Sequence, residues 1–425
     1  MQNFILKGDI CYSISPKELK TASDSYLVCL EGKSAGVFET LPAQYQDLRL
    51  LDCTGKLILP GLVDLHTHAP QFSTRALGMD LELIEWLNTY TFPGETKYAD
   101  LAFAEQAYRG FVQALVRSPN TRSVIFATRH VPATVLLMSL LEESGLVTMV
   151  GKVNMDRHAP APLCEVSAEA SLHDTRMWLS ETMGQYQRTA PILTPRFIPS
   201  CSNALMAGLG ELQREFSLPV QSHLSENPRE IAWVGKLVPE AESYGHAYYR
   251  NGLFGGEVPT VMAHCVWPTE DEFTLMRRQQ IWVAHCPQSN SNLASGIAPV
   301  RRYLDAGIPV GLGTDVAGGA HLSIFRAIQD TIAASKLYWR LVDPNTAPLS
   351  LEEAFYLATL GGGRFFGQVG SFAEGFEFDA LVVDDHALSG SGTFSITDRL
   401  ARVVYLSDSR HLKRKFVRGL EIPLG

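Results

Sequence analysis

The chain of 425 residues has no Cys-x-x-Cys pair, and its seven cysteines are scattered and odd in number. That usage fits reduced thiols in a cytosol rather than a disulfide framework. Long basic blocks are missing too: 36 Lys and Arg stand against 45 Asp and Glu, for a net charge of −9. The balance argues against a nucleic-acid groove or an anionic membrane surface as partner. No apolar run reaches the length of a membrane-spanning helix. The first residues, Met1 to Asp9, have neither a basic region nor a long apolar one, so no signal peptide is expected. Internal repeats, low-complexity tracts and disordered linkers are also lacking. What is present is a 46% hydrophobic chain, ordinary for a globular enzyme with a substantial core. The expected setting is cytoplasmic.

Residues 1–56 carry short alternating segments, at 3–5, 25–30 and 48–52, broken by Gly, Pro and Ser clusters. This is the pattern of a small antiparallel β unit. From Leu57 the character changes. Apolar runs alternate with amphipathic stretches at 100–116, 166–183 and 203–216, and strand followed by helix, repeated, implies a parallel sheet covered by helices. The runs fall at about 57–63, 123–128, 146–153, 190–195, 218–222, 258–263, 281–284 and 308–313. Eight is the number that closes a (β/α)8 TIM barrel. Helical stretches follow at 323–341 and about 350–359. Strand signals return beyond about Gly370: residues 377–384 alternate, 402–406 are β-rich, and 415–422 form a hairpin turning at Arg418-Gly419. The two ends are alike in type and unlike the middle. The expected architecture is therefore α/β: a (β/α)8 TIM barrel over 57–365, with a small β-sandwich built from 1–56 and 366–425.

The chemistry starts in the stretch 57–71, Leu-Ile-Leu-Pro-Gly-Leu-Val-Asp-Leu-His-Thr-His-Ala-Pro-Gln. In an extended segment positions i and i+2 share a face, so His66 and His68 can offer both imidazoles to one ion. Alone, the pair is a weak signal. Its weight comes from the other runs, most of which end in a polar or ionisable residue: Thr128, Lys152, Arg196, His223, His264, His285 and Asp315. Carboxyl ends of barrel strands are where such folds build active sites. His66, His68, His223 and Asp315 form the candidate metal set, three imidazoles and a carboxylate suited to one Zn2+ with room for a water. Zinc brings a bound water's pKa towards ~7, and an adjacent Asp accepts its proton. The bland alternatives are a core histidine at 223 and a turn-shaping Asp315.

Glu226 follows His223 in His-Leu-Ser-Glu, just past a strand end. A carboxylate there, outside the ligand set, suits proton transfer onto a ring nitrogen; its other reading is a glutamate in the first turn of a helix. His264 either ligates the metal or hydrogen-bonds the activated water, and His285 shapes the pocket wall. Cys265 and Cys286 read as buried bystanders. Lys152 ends the third strand, whereas the carbamylated lysine of binuclear barrel hydrolases belongs to the fourth, so a single metal is expected.

Several motifs together resemble the amidohydrolase superfamily and, within it, the guanine deaminase family. They are Pro60-Gly-Leu-Val-Asp-Leu-His-Thr-His-Ala-Pro-Gln71, Glu85-Trp-Leu-Asn-Thr-Tyr-Thr-Phe-Pro93, Gly151-Lys-Val-Asn-Met-Asp156, Thr194-Pro-Arg-Phe197 and Gln221-Ser-His-Leu-Ser-Glu-Asn227. Met262-Ala-His264, His285-Cys-Pro-Gln-Ser-Asn290, Gly311-Leu-Gly-Thr-Asp-Val-Ala-Gly-Gly319 and Ala358-Thr-Leu-Gly-Gly362 complete the set. The resemblance implies zinc-dependent hydrolytic deamination of guanine to xanthine and ammonia by a homodimer with one zinc per subunit. Zinc would rest on His66, His68, His223 and Asp315. Glu226 would protonate the ring nitrogen next to C2, Asp315 would pass a proton from the water to the leaving amine, and His264 would orient that water. Arg196 would grip the purine carbonyl, Gln71 the ring edge and Phe197 the ring face, with His223 and Glu226 also touching the base. A flat ligand with a carbonyl acceptor suits such partners. Apart from the resemblance, Arg196, Gln71 and Phe197 read as a salt-bridged, a loop-capping and a core residue.

One segment departs from the family pattern. Relatives usually enter strand two through Gly-Thr-Thr, whereas this chain has Ser118-Pro-Asn-Thr-Arg-Ser123, which leaves that boundary and one pocket wall open. Two alternatives stand beside the main reading: a mononuclear relative acting on an oxidised guanine, an aminotriazine or another nucleobase, and a catalytically silent barrel scaffold. The cytidine-type zinc deaminases, with Pro-Cys-x-x-Cys, are excluded because no such pair exists.

Overall fold

A computed structural model describes residues 3–389 and 392–425. Both ends of the chain enter one seven-stranded sheet. Its strands are β1 (Phe4–Ser15), β2 (Glu18–Leu30), β3 (Lys33–Phe38), β4 (Arg49–Pro60), β15 (Ala380–Val383), β16 (Leu412–Val417) and β17 (Leu420–Ile422), in the order β17-β16-β15-β4-β1-β2-β3. β1 is antiparallel to β2 but parallel to β4, so the first unit is mixed rather than wholly antiparallel. The β16–β17 hairpin turns at Arg418-Gly419, where φ is 49° and 71°; paired positive φ values give a turn whose twist matches its strands.

The intervening strands are β5 (Leu62–His68), β6 (Asn120–Phe126), β7 (Val147–Gly151), β8 (Val153–Asn154), β9 (Thr189–Pro191), β10 (Thr194–Pro195), β11 (Val220–Leu224), β12 (Thr260–His264), β13 (Trp282–His285) and β14 (Val310–Leu312). β5, β6, β7 and β9 pair in parallel, as do β11 to β14. Leu193 bridges to Val220. After β14 the backbone returns to β5: Asp315 N donates to His66 O at 2.8 Å, and His68 N to Val316 O at 3.0 Å. Every residue of β5 and β6 is buried, as expected of strands covered on both faces. The fold is α/β of the TIM-barrel type. Among the described residues no helix is long and apolar enough to cross a membrane.

Four local expectations need correcting. The first apolar run is split, so the boundary at 56/57 falls inside a strand: Leu57 to Pro60 finish β4, in register with β15, and only β5 joins the parallel set. Gly61 is the joint, where a Cβ would sit 2.2 Å from Thr121 Oγ1. Periodicity cannot locate a break inside a continuous apolar run. Residues 402–406 belong to a helix, Ile396–Leu406, capped by Ser395 and burying Leu400, Val403 and Val404; the i, i+3, i+4 pattern outweighs the β preference of two valines. β6 begins at Asn120, earlier than expected. Finally, the unusual 118–123 segment occupies the amino end of β6, opposite the end at Phe126, and lines no part of the cavity that holds His68, His223 and Asp315. Its Arg122 is buried and pairs instead with Asp379 (2.6 Å) and Glu377 (2.6 Å), just before β15.

Candidate active site

The carboxyl ends of the parallel strands bring the candidate residues together. β5 ends in His68, β11 carries His223, β12 ends in His264, and Asp315 follows β14. His66 Nε2 lies 3.2 Å from His68 Nε2, and His68 Nε2 lies 3.3 Å from His223 Nε2. Asp315 Oδ1 is 3.1 Å from His66 Nε2 and 3.3 Å from His68 Nε2. Ligand bonds of about 2.0 Å to a tetrahedral ion imply edges of about 3.3 Å between donors, and these four separations lie close to that value. The tautomer agrees: His223 Nδ1 meets Arg196 O at 2.7 Å, which leaves a lone pair on Nε2. Burial pushes His68 down to about 4 and lowers His66 and His223 as well, keeping the rings neutral and able to ligate. Burial alone would raise Asp315, but the His66 and His68 beside it hold its carboxyl well below the usual range.

His264 groups with His66 and His223 as a second possible donor set, beside that of His66, His68 and Asp315. Its Nδ1 meets Asn290 Oδ1 at 2.9 Å, and its Nε2, without a hydrogen-bond partner, is 3.4 Å from Glu226 and 3.8 Å from Asp315. The backbone is left-handed at both His264 (φ 71°) and Asp315 (φ 43°), strain of the kind that concentrates at functional sites. Glu226 precedes its helix, Pro228–Leu237, whose cap is Asn227 with Glu230 closing a capping box. The carboxyl is thus free of the helix and accepts from Ser295 Oγ at 2.9 Å. Burial and the facing Asp315 push it up to about 8, which favours its protonated form.

One cavity is lined by His68, Gln71, Arg196, Phe197, His223, Glu226, His264 and Asp315. It therefore contains every expected site residue except His66, which lies behind His68. Two others fall elsewhere. Lys152 is buried in an ion pair with Glu165, and His285 lines a separate cavity with Arg301, Thr331 and Tyr338. Residues that the sequence reading passed over also shape the site. Phe126 packs its ring 4.5 Å from His68 and 4.9 Å from His223. Trp86 and Leu87 line the cavity, and Glu230 accepts from Tyr244 Oη at 2.7 Å and from Glu226 N at 3.2 Å. Asp64 accepts from Thr314 Oγ1 at 2.6 Å and from His66 N at 3.2 Å, tying the ligand strand to the Asp315 segment. A lone Asp inside the apolar run 62–65 was the available signal for it. Glu95 binds both Arg196 and Gln71.

Comparison with known proteins agrees with this arrangement. Residues 57–422 match the amidohydrolase family. A guanine deaminase of Dictyostelium discoideum is 36% identical, with 98% of each chain covered. One from Escherichia coli K12 is 34% identical over 95% of this chain and 93% of that protein. The crystal structure of the guanine deaminase from C. acetobutylicum with bound guanine superposes with a TM-score of 0.96 at 43% identity, covering 99% of this chain and all of that one. The chain belongs to the amidohydrolase family and, within it, groups with the guanine deaminases.

Proposed function

We propose that the protein is a zinc-dependent guanine deaminase, hydrolysing guanine to xanthine and ammonia. The observation that bears most weight is the meeting of His68, His223 and Asp315 with the buried carboxyl of Glu226 in one cavity, His66 Nε2 lying 3.2 Å from His68 Nε2, in a chain so close to a guanine-bound deaminase. A zinc ion would be held by His66, His68, His223 and Asp315 and, when bound, would supply a polarised, acidified water. Asp315 would take a proton from the attacking water and return it to the leaving amine, and His264, whose Nε2 is 3.8 Å from Asp315, would orient the oxygen. Glu226 delivers a proton to the ring nitrogen beside C2 as the C2–O bond forms, and the C2–N bond to the amine then breaks. Arg196 donates to the purine carbonyl, Gln71 to the ring edge, and Phe197 covers the ring face. Each role is supported by the placement of these side chains around one cavity.

The same reading treats the parallel strands and helices of 57–365 as a (β/α)8 barrel, and 1–56 with 366–425 as a β-sandwich. Phe4, Phe378 and Phe416, whose rings pack 5.0–5.2 Å from Phe4, support a separate core there. It also takes the protein as a cytoplasmic homodimer, for which seven free cysteines are in keeping on the cytoplasmic side. Ammonia release and metal content, measured on one preparation, test the assignment. Guanine is expected to turn over fastest among guanine, oxidised guanine and aminotriazines, with one zinc per chain. Equal rates across that panel would remove the guanine assignment.

A further inference from the structure

We infer that Glu95 is the positioning residue that fixes both base-facing donors at once and holds the pocket selective for a neutral base. This rests on the reading of Arg196 and Gln71 as substrate contacts. Glu95 is 4% exposed and stands behind the cavity wall that Arg196 and Gln71 form. Its Oε2 accepts from Arg196 Nη1 at 2.6 Å, and its Oε1 accepts from Arg196 Nη2 at 3.1 Å and Gln71 Nε2 at 2.9 Å. The far side of the Gln71 amide is equally determined, since Ala317 N donates to Gln71 Oε1 at 3.2 Å. A carboxylate accepts only and a backbone N–H donates only. The amide therefore has one possible orientation, with its nitrogen at Glu95, and one hydrogen of that nitrogen remains for a ligand.

The charge has a second consequence. An unpaired guanidinium in a buried site is costly and draws in an anion. Paired in a two-pronged contact with Glu95, Arg196 keeps its remaining N–H donors but presents no net charge. Phe92 closes another side, with Arg196 Cζ 5.1 Å from its ring centre. A pocket so arranged favours an uncharged oxopurine over its anion, and xanthine, the product, ionises in the mildly alkaline range. Glu95 thereby keeps the ionised product from being held.

The test compares wild type, Glu95→Gln, Glu95→Asp and Arg196→Met by steady-state kinetics on guanine and equilibrium dialysis of xanthine, on both sides of its first ionisation. In Glu95→Gln the loss should fall mainly on KM, which should rise about ten-fold, the scale of one charge-assisted hydrogen bond. Its binding preference should also shift towards the xanthine anion by a comparable factor relative to wild type. A packing defect would weaken both forms of xanthine equally, and that outcome, like an unchanged KM, overturns the inference. Should Glu95→Gln fail to fold, Glu95→Asp still decides: it keeps the charge but loses reach, so KM should rise with the preference for neutral xanthine intact, and loss of that preference defeats the proposal. Arg196→Met separates the two layers. If it leaves KM and xanthine binding unchanged, the reading of Arg196 as a base contact fails; if it is impaired while Glu95→Gln is not, only the role of Glu95 fails.

Discussion

At the scale of single residues, the closeness of the candidate metal set was legible because each member ends or follows an apolar run, and two of them repeat at the spacing that puts neighbours on one face of a strand. Glu226 was readable for the same reason. Its environment adds what spacing could not: burial and the facing Asp315 push its carboxyl up to about 8, the direction that the proposed proton donor needs. Glu226→Gln keeps shape and hydrogen bonding to Ser295 but cannot give up a proton. Turnover should fall by ~10² or more while metal content and the circular dichroism spectrum stay at wild-type values; near-normal turnover would place the proton donor elsewhere. Glu95 was not readable at all. Its partners Gln71 and Arg196 are 24 and 101 positions away, and no local pattern links a glutamate in a short helical stretch to an arginine at a distant strand end.

At the scale of elements, the strands and main helices were largely legible. Asn203–Phe216 and Ile324–Leu341 lie where their amphipathic period put them. The misplacements occurred where two signals overlapped: a helix rich in valine, and an apolar run belonging to two sheets. The departure at 118–123 has an element-scale explanation. Arg122 fastens β6 to the segment before β15, its side chain and that of Asp379 both fully buried. Asp379 also accepts from Arg418 N at 2.9 Å, so the contact spans three elements. Arg122→Met would strand a buried carboxylate, costing about 3–5 kcal/mol. Chemical denaturation should register that loss in the midpoint, and a change under about 1 kcal/mol would mean the pair is compensated by water.

For the molecule as a whole, composition excluded more than it identified, and alternation of strand and helix gave the TIM-barrel type. How the ends join the middle was hidden, because it depends on contacts across the full length of the chain. One such contact is Lys415 on β16, whose Nζ donates to Val116 O at 2.6 Å and Asn120 O at 3.0 Å at the end of the helix Leu101–Arg117. Burial lowers this ammonium from 10.5 to about 7. The unfolded chain therefore binds more protons than the folded one between pH 7 and 10.5, and the contribution of Lys415 to stability rises with pH across that window. Cys11, Cys29 and Cys201, pushed up from 9.0 to about 12, act in the opposite sense above pH 9. Between pH 7 and 9 Glu226, pushed up to about 8, also titrates, but it is common to wild type and variant and cancels in their difference. There, the stability of wild type minus that of Lys415→Met should climb by up to ~1.4 kcal/mol per pH unit; a flat difference would show the lysine to be solvated.

The joint at Gly61 sets an order of events during synthesis. β4 passes directly into the strand bearing His66 and His68, and its last four residues are paired with Ala380 to Val383, while Gly61 N donates to Asp379 O at 3.0 Å. Those partners leave the ribosome only when almost the entire chain has been made. The two histidines are among the earliest candidate site residues to emerge, yet β4, the strand that leads into theirs, gains its second neighbour last. Closing so long a loop is slow, and until it closes the emerging polypeptide presents an unpaired β edge. The edge of β4 is therefore among the last to be covered, and an exposed edge of that kind is where a folding chain is prone to wrong pairing.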